Sequence, residues 1–314
     1  MRVLVFTNLY PDASSPHRGR FVADQVEALR GRGVSIELFT FPPGAREYLP
    51  ASRRLRRHLS ESSYDLVHAH YGLAGWCARR AGAHPLIVTF HGTDVRHRIV
   101  GPLSRRLARR VELAAGVSRS LFETEAGRPG LPNDGKAARA VLPCGVDRQR
   151  FRPLARAEAR RALDLDPAGR FLLFPADPAR PEKRHDRAKR LADGSGATLL
   201  TAGSVDPDRM PLLVNAANAV LVTSDREGFG LAALEALACR VPVLSTPVGI
   251  APLALSSVEG CLVAAFDQAA WLAALMPHLE STDPRVDGER ITDALSAAGQ
   301  AERVLEAYRW TVGE

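Results

Sequence analysis

The chain has 314 residues, 46% of them hydrophobic and 25% charged, with a formal net charge of +7. This is ordinary globular composition and excludes a fully disordered, collagen-like or silk-like chain. Single hydrophobic cores stop growing at roughly 250–300 residues, so the length predicts two domains.

The charge is uneven. Residues 1–150 carry 24 Lys and Arg against 13 Asp and Glu, and the remainder carries 18 against 22. Such asymmetry bears on partners: the first half should attract phosphates or anionic lipid. The four cysteines (Cys77, Cys144, Cys239 and Cys261) are widely spaced with no CxxC pair, which fits a reducing interior. The apolar run after Arg2 is too short for a secretory signal, and no uncharged run approaches the ~20 residues of a bilayer span. A cytoplasmic protein is expected.

In chain order, Arg2–Thr7 reads as a buried strand, followed by a turn-rich loop from Asn8 to Gly19. Phe21–Arg30 has helical periodicity and is stopped by Gly31 and Gly33. Val34–Phe39 is the next strand, and Arg46–His58, with five Arg, is an exposed basic helix or loop. Leu66–Ala69, Leu86–Phe90, Leu113–Val117 and Ala140–Leu142 read as strands, with helices at Gly75–Ala81 and Ser104–Arg110. After an irregular stretch, Pro143–Pro153, Glu158–Leu163 begins the second half. Its strands are Phe171–Phe174, Thr198–Ala202, Ala219–Thr223 and Pro242–Ser245. Its helices are Lys183–Ala192, Pro211–Ala217, Gly230–Ala238, Gln268–Leu279 and Ala294–Tyr308. Two successive strand–helix series, split near residues 150–170, predict two doubly wound α/β domains facing a cleft.

The strongest chemical signal is the stretch from Glu227 to Glu235, Glu-Gly-Phe-Gly-Leu-Ala-Ala-Leu-Glu. Gly228 and Gly230 let backbone approach a ligand, and the N–H groups opening a helix at Gly230 and Leu231 suit phosphate. Glu235 stands among Leu231, Ala232, Leu234, Leu237 and Ala238, where a carboxylate needs a donor such as a ribose hydroxyl. Two solvated glutamates fit the same spacing. His91 follows a very apolar strand at its C-terminal end, where α/β folds expose ligand groups, and it equally fits a packing role. Lys183, with Arg180 and Arg184 beside it, suits diphosphate binding.

These segments resemble the retaining glycosyltransferases of family 4, also called group 1 glycosyl transferases. Their two Rossmann-like domains face a central cleft in the arrangement named GT-B. Glu227 and Glu235 match the family's Glu-x7-Glu motif. Residues 236–243 resemble its EAxAxGxPV continuation. Val141–Asp147 with Phe151 and Pro153 resembles its IPNGVD segment, with Cys144 for the customary Asn. Gly116–Ser120 resembles its VSxS, and Ala301–Tyr308 its terminal helix.

The resemblance implies residues 1–153 as an acceptor-side domain and 154–314 as a nucleotide-sugar domain, the terminal helix packing back on the first. It implies His91 and Glu227 as catalytic-site residues. Glu227 would contact the donor sugar and Glu235 the ribose. Gly19, Lys183, Gly228, Phe229, Gly230 and Leu231 would lie around the diphosphate, with Arg180 or Arg184 adding charge. Gly203 and Val205, from a Gly-x-Val motif, would lie near the base. Thr93 and Asp94 would border the acceptor pocket, with His68 and His70 as cleft residues rather than metal ligands.

Three further departures are visible. Asp177 stands where the family has Arg, Leu253 replaces a usual Glu after Pro252, and the chain between Phe174 and Gly203 is short. The implied reaction moves a hexose-like unit from a UDP- or GDP-sugar to an acceptor hydroxyl, lipid-linked or on a glycan. Attack would come from the front face and retain configuration, with no metal required. The competing readings are a catalytically impaired nucleotide-sugar-binding relative and a nucleotide-sugar epimerase. Arg46–Arg57 and Arg96–Arg110 lack interleaved aromatics, which argues against nucleic acid and for peripheral contact with anionic lipid at the inner face of a membrane.

Overall fold

A computed structural model describes residues 1–124, 127, 129–203 and 205–314, so Ser204 of the Gly-x-Val motif lies outside it. The chain divides into two compact units, residues 1–145 with 297–314, and residues 146–296.

The first unit opens with β1 (Arg2–Thr7), α1 (Arg20–Arg30), β2 (Ser35–Thr40) and α2 (Tyr48–Glu61). It continues with β3 (Leu66–His70), α3 (Gly72–Ala81), β4 (Leu86–Phe90), α4 (Thr93–Arg96), α5 (Val100–Leu107), β5 (Leu113–Gly116) and β6 (Ala138–Val141). The strands pair in the order β2-β1-β3-β4-β5-β6, all parallel. β3 and β4 are buried along their whole length, as expected of parallel strands covered on both faces.

The second unit holds α6 (Arg156–Arg161), β7 (Phe171–Phe174), α7 (His185–Ser195), β8 (Thr198–Thr201), α8 (Met210–Ala216) and β9 (Ala219–Val222). It ends with α9 (Leu231–Ala238), β10 (Val243–Ser245), α10 (Ala251–Leu255), β11 (Leu262–Val263), α11 (Gln268–Glu280) and α12 (Glu289–Ala294). Its order, β11-β10-β9-β7-β8, repeats the doubly wound pattern. Two parallel sheets, each flanked by helices, make the two Rossmann-like domains of a GT-B fold. Arg160 of α6 anchors the start of this unit, donating to the Ala216 carbonyl at 3.0 Å and to Asn218 Oδ1 at 2.8 Å. Its third nitrogen donates to the Pro167 carbonyl at 2.8 Å, and a buried guanidinium is tolerated when each nitrogen has such a partner.

The chain then returns to the first unit as α13 (Ala297–Val312). Ala301, Val304 and Tyr308 join Val22, Val26 and Leu29 of α1 in one buried cluster beside the sheet. Each such fully buried aliphatic side chain contributes about 1.5–3 kcal/mol relative to exposure.

Several elements differ from their sequence expectation. The helix predicted from Lys183 starts at His185; Pro181–Lys183 is a separate 3₁₀ turn, and Arg184 joins the two at φ 56°. The helix predicted over Ala294–Tyr308 is two helices broken at Leu295–Ser296. The basic stretch after Arg46 is a helix from Tyr48, whose Ala51, Ser52 and Leu55 are buried.

Candidate active site

In a doubly wound sheet, ligand groups gather beyond the strand C-termini where the strand order reverses. In the second unit that point lies between β7 and β9. The residues that follow those two strands line a small cavity of about 100 Å³, with Phe174, Lys183, Ser224, Glu227, Gly230 and Leu231 among its walls.

Lys183 Nζ donates to both Glu227 oxygens at 2.6 Å, and Ser224 Oγ donates to Glu227 Oε1 at 2.7 Å. Both partners are mostly buried, with side-chain exposures of 13% and 12%. The loop carrying Lys183 is pinned to the end of β9. Thr223 Oγ1 donates to the Lys183 and Arg184 carbonyls, and Asp225 N to the Glu182 carbonyl. The ammonium is therefore held at a fixed place beside the N-terminus of α9, whose free N–H groups add positive potential.

Gly228 and Phe229 complete the loop into α9. A Cβ on Gly249, itself at φ 55°, would sit 2.3 Å from the Phe229 carbonyl oxygen, so the next loop packs directly on this one. Glu235 is half-buried four residues along α9 from Leu231. Gly203 abuts the turn at Asp177 and Pro178, where its own Cβ would be 2.9 Å from the Asp177 Cα, and Val205 follows half-buried.

Arg180 and Arg184 do not line the cavity. Arg180 is bound to Glu182 at 2.7 Å, and Arg184 to Asp186 at 2.8 Å and to Asp225 at 3.3 Å. The carboxylate of Asp177 accepts from the Ala179 N–H in a local turn. Leu253 is largely exposed on α10.

In the first unit, His91 directly follows β4 and is buried. Its Nε2 meets His70 Nδ1 at 3.1 Å, and its ring stacks on Tyr71 at 4.6 Å and tilts against Phe21 at 4.8 Å. Phe21 is the second residue of α1, whose N-cap is Gly19. Gly19 has φ 65°, and a Cβ there would lie 2.2 Å from the Leu9 carbonyl oxygen, so only glycine fits. Gly19 and His91 thus belong to one neighbourhood.

Asp94 buttresses it: Oδ1 accepts from the His91 and Gly92 N–H groups at 3.0 Å, and Oδ2 from Gly72 N–H at 2.9 Å. Burial nevertheless raises its pKa to about 6. Burial, with His70 nearby, holds His91 well below the ordinary imidazole range; burial alone takes His70 down to about 3. Both rings are neutral at pH 7, so His91 offers a hydrogen bond rather than a positive charge. Tyr71, Thr93 and Asp94 line a hollow of about 240 Å³ beside it. Among the described residues, no group of three or more His, Cys, Asp or Glu is placed to hold a metal ion.

Two residues were not singled out from the sequence. Tyr71 has φ 74° and ψ 145°, a region sparsely populated outside glycine, and it packs face to face on His91. Its position directly after His68-Ala69-His70 was the available signal. Ser224 orients Glu227 from three residues upstream and carries no motif of its own.

The family model described as Glycosyltransferase Family 4 matches residues 1–150, and that described as Glycosyl transferases group 1 matches residues 154–281. A D-inositol 3-phosphate glycosyltransferase of Saccharomonospora viridis is 34% identical, with 81% of this chain and 79% of the relative aligned. Among solved structures, sucrose-phosphate synthase from Thermosynechococcus elongatus superposes with a TM-score of 0.75 at 18% identity, covering 99% of each chain. Anabaena HepE in complex with UDP-glucose gives 0.70 at 16% identity, over 98% of this chain and 99% of that one. The chain belongs to the group 1, family 4 glycosyltransferases, which move a sugar from a nucleoside-diphosphate sugar to an acceptor.

Proposed function

We propose that this enzyme transfers a hexosyl group from a UDP- or GDP-sugar to an acceptor hydroxyl with retention at the anomeric carbon. The observation that carries the reading is the Lys183–Glu227 pair beside the α9 N-terminus. Departure of the diphosphate builds negative charge, and a fixed ammonium with helix N–H groups stabilises it without reorganisation. Glu227 would orient the donor sugar, Glu235 the ribose, and Gly203 and Val205 would border the base. Residues 154–314, less the α13 helix that returns to the first unit, would bind the donor. Residues 1–153 would serve the acceptor, with Gly19 near the diphosphate and His91 donating a neutral hydrogen bond to sugar or acceptor. The departing phosphate oxygen would assist removal of the acceptor proton, so no carboxylate nucleophile is needed.

The acceptor is proposed to be lipid-linked or part of a glycan, and the enzyme to sit in the cytoplasm in peripheral contact with anionic membrane through its arginine-rich first half. A donor panel assayed for release of UDP, GDP or ADP, with and without acceptors, tests the reading. Acceptor-dependent release with an unchanged anomeric configuration is expected, and absence of nucleotide binding in calorimetry would overturn it. One observation favours a second reading. Arg180 and Arg184 are committed to Glu182, Asp186 and Asp225, which leaves Lys183 as the cation in the cavity. Tight nucleotide binding without turnover across an acceptor panel would select a catalytically impaired relative instead.

A further inference from the structure

In the first unit, α3 packs on α2 and α5, and one side of it is left partly uncovered between them. Leu73, Trp76, Cys77 and Arg80 fall at i, i+3, i+4 and i+7 and so share that side. It forms the floor of an open trough, with Tyr48 and Leu49 along one wall and Leu103 and Arg106 along the other. Two adjoining hollows of about 640 and 720 Å³ make up the trough and share Tyr48, Trp76 and Cys77. Trp76 lies at its centre, its Nε1 donating to the Leu103 carbonyl at 2.9 Å.

The rim has two characters. Ile99 caps the N-terminus of α5, Leu103 and Arg106 lie three residues apart on the helix, and Arg110 follows in the turn beyond it, apolar first and basic last. Ile99 and Leu103 are 74% and 43% exposed, and Leu49 across the trough is 45% exposed. Arg80 lines the hollow with Leu49, whereas Arg106 and Arg110 line the one with Leu103, Arg110 lying 5.9 Å over the Trp76 ring, and among the described residues none of these three guanidiniums is paired with a carboxylate. The nearby Glu112 is already held by His84 and by the Leu86 N–H.

An apolar floor rimmed by cations without carboxylate partners fits a ligand that is long, apolar and anionic. A small phosphate would leave Trp76 and Leu103 wet, and a neutral hydrocarbon would leave the guanidiniums unmatched. Exposed Arg53, Arg54 and Arg57 on α2 extend the positive field beyond the trough, which suits a sheet of anionic headgroups rather than one ion. We propose that the α3 trough is a lipid site: the acyl chain of an anionic bilayer lipid lies along Leu73, Trp76 and Leu103, and its phosphate is taken by Arg106 and Arg110. The site rests on the peripheral membrane contact proposed above and narrows it to one place.

Flotation of the full chain with phosphatidylcholine vesicles, with and without phosphatidylglycerol, tests this together with tryptophan quenching by phosphatidylglycerol brominated on its chains. Binding should require phosphatidylglycerol, and chain bromines should quench a component of emission that disappears in Trp76→Phe. Each surface guanidinium contributes about fivefold, so Arg106→Gln with Arg110→Gln should weaken partitioning about 25-fold. Leu103→Asp should abolish the Trp76 quenching and weaken partitioning about tenfold or more. Circular dichroism and nucleotide binding, unchanged in these surface variants, would show that they fold. Flotation on anionic vesicles without chain quenching of Trp76 would overturn the lipid site and leave the peripheral contact standing. Absence of flotation, or equal flotation on both vesicles, would overturn both.

Discussion

The Lys183 ammonium rests against both Glu227 oxygens at 2.6 Å, so a diphosphate entering the cavity must compete with Glu227 for it. That competition predicts opposite effects for the two partners. Lys183→Gln should weaken binding of UDP or GDP about 10- to 100-fold, the worth of one charge-assisted hydrogen bond, read by calorimetry. Glu227→Gln should leave nucleotide binding unchanged or tighter, yet lower kcat by about 100-fold through loss of the proposed donor-sugar contact. If both variants weakened nucleotide binding equally, the assigned roles would be wrong. The Glu-x7-Glu spacing was readable because both residues lie in one segment. The capture of Arg184 by Asp186 and Asp225 was not, because Asp225 reaches it only through the return of the chain after β9.

At the scale of elements, α13 is tied to β3 by a buried contact: the Tyr308 hydroxyl and His68 Nδ1 lie 2.7 Å apart. Tyr308→Phe should destabilise the first unit by about 1–3 kcal/mol, because it leaves a buried ring nitrogen without its partner. Chemical denaturation followed by fluorescence checks this, and the nucleotide binding proposed for the second unit should not move. Gly19→Ala should cost about 2 kcal/mol or more, since it adds a left-handed residue to a collision with the Leu9 carbonyl. Loss of acceptor-dependent turnover should accompany it, as the loop before α1 must shift.

The alternation of apolar strand runs with helical periodicity made both doubly wound units legible, since local pattern determines each element. Where the chain changes direction without a glycine, pattern was silent. Arg184 takes a left-handed conformation inside a stretch that otherwise reads as one helix, and Tyr71 does so between a strand and a helix. The pairing of His70 with His91 was equally hidden, because it needs the register of two strands, His70 against Thr89, and not spacing along the chain.

For the whole molecule, stability should depend on pH through three buried histidines. Burial holds His68, His70 and His91 below their unfolded value of about 6.5, so the unfolded chain takes up protons first. Their contribution is complete above about pH 6.5 and is lost as the pH falls from there. Asp94 acts in the opposite sense. Its pKa is raised to about 6, so between roughly pH 6 and 4 the folded state binds its proton first. Three protons against one leave a net loss of about 2–3 kcal/mol per pH unit below pH 6. Urea denaturation at pH 7, 6 and 5 should show it, and His70→Asn should flatten the slope by about one proton. A flat profile between pH 7 and 5 would refute the account.

The return of α13 to the first unit makes residues 146–296 a guest spliced into a host. During synthesis the guest has all its strands while the host still lacks the helix that covers Val22, Val26 and Leu29. Once Ser296 has emerged from the ribosome, a complete second unit is therefore tethered to an oily, unfinished first one. The uncovered face of α1 is thus a place where chaperones and proteases would meet the nascent chain.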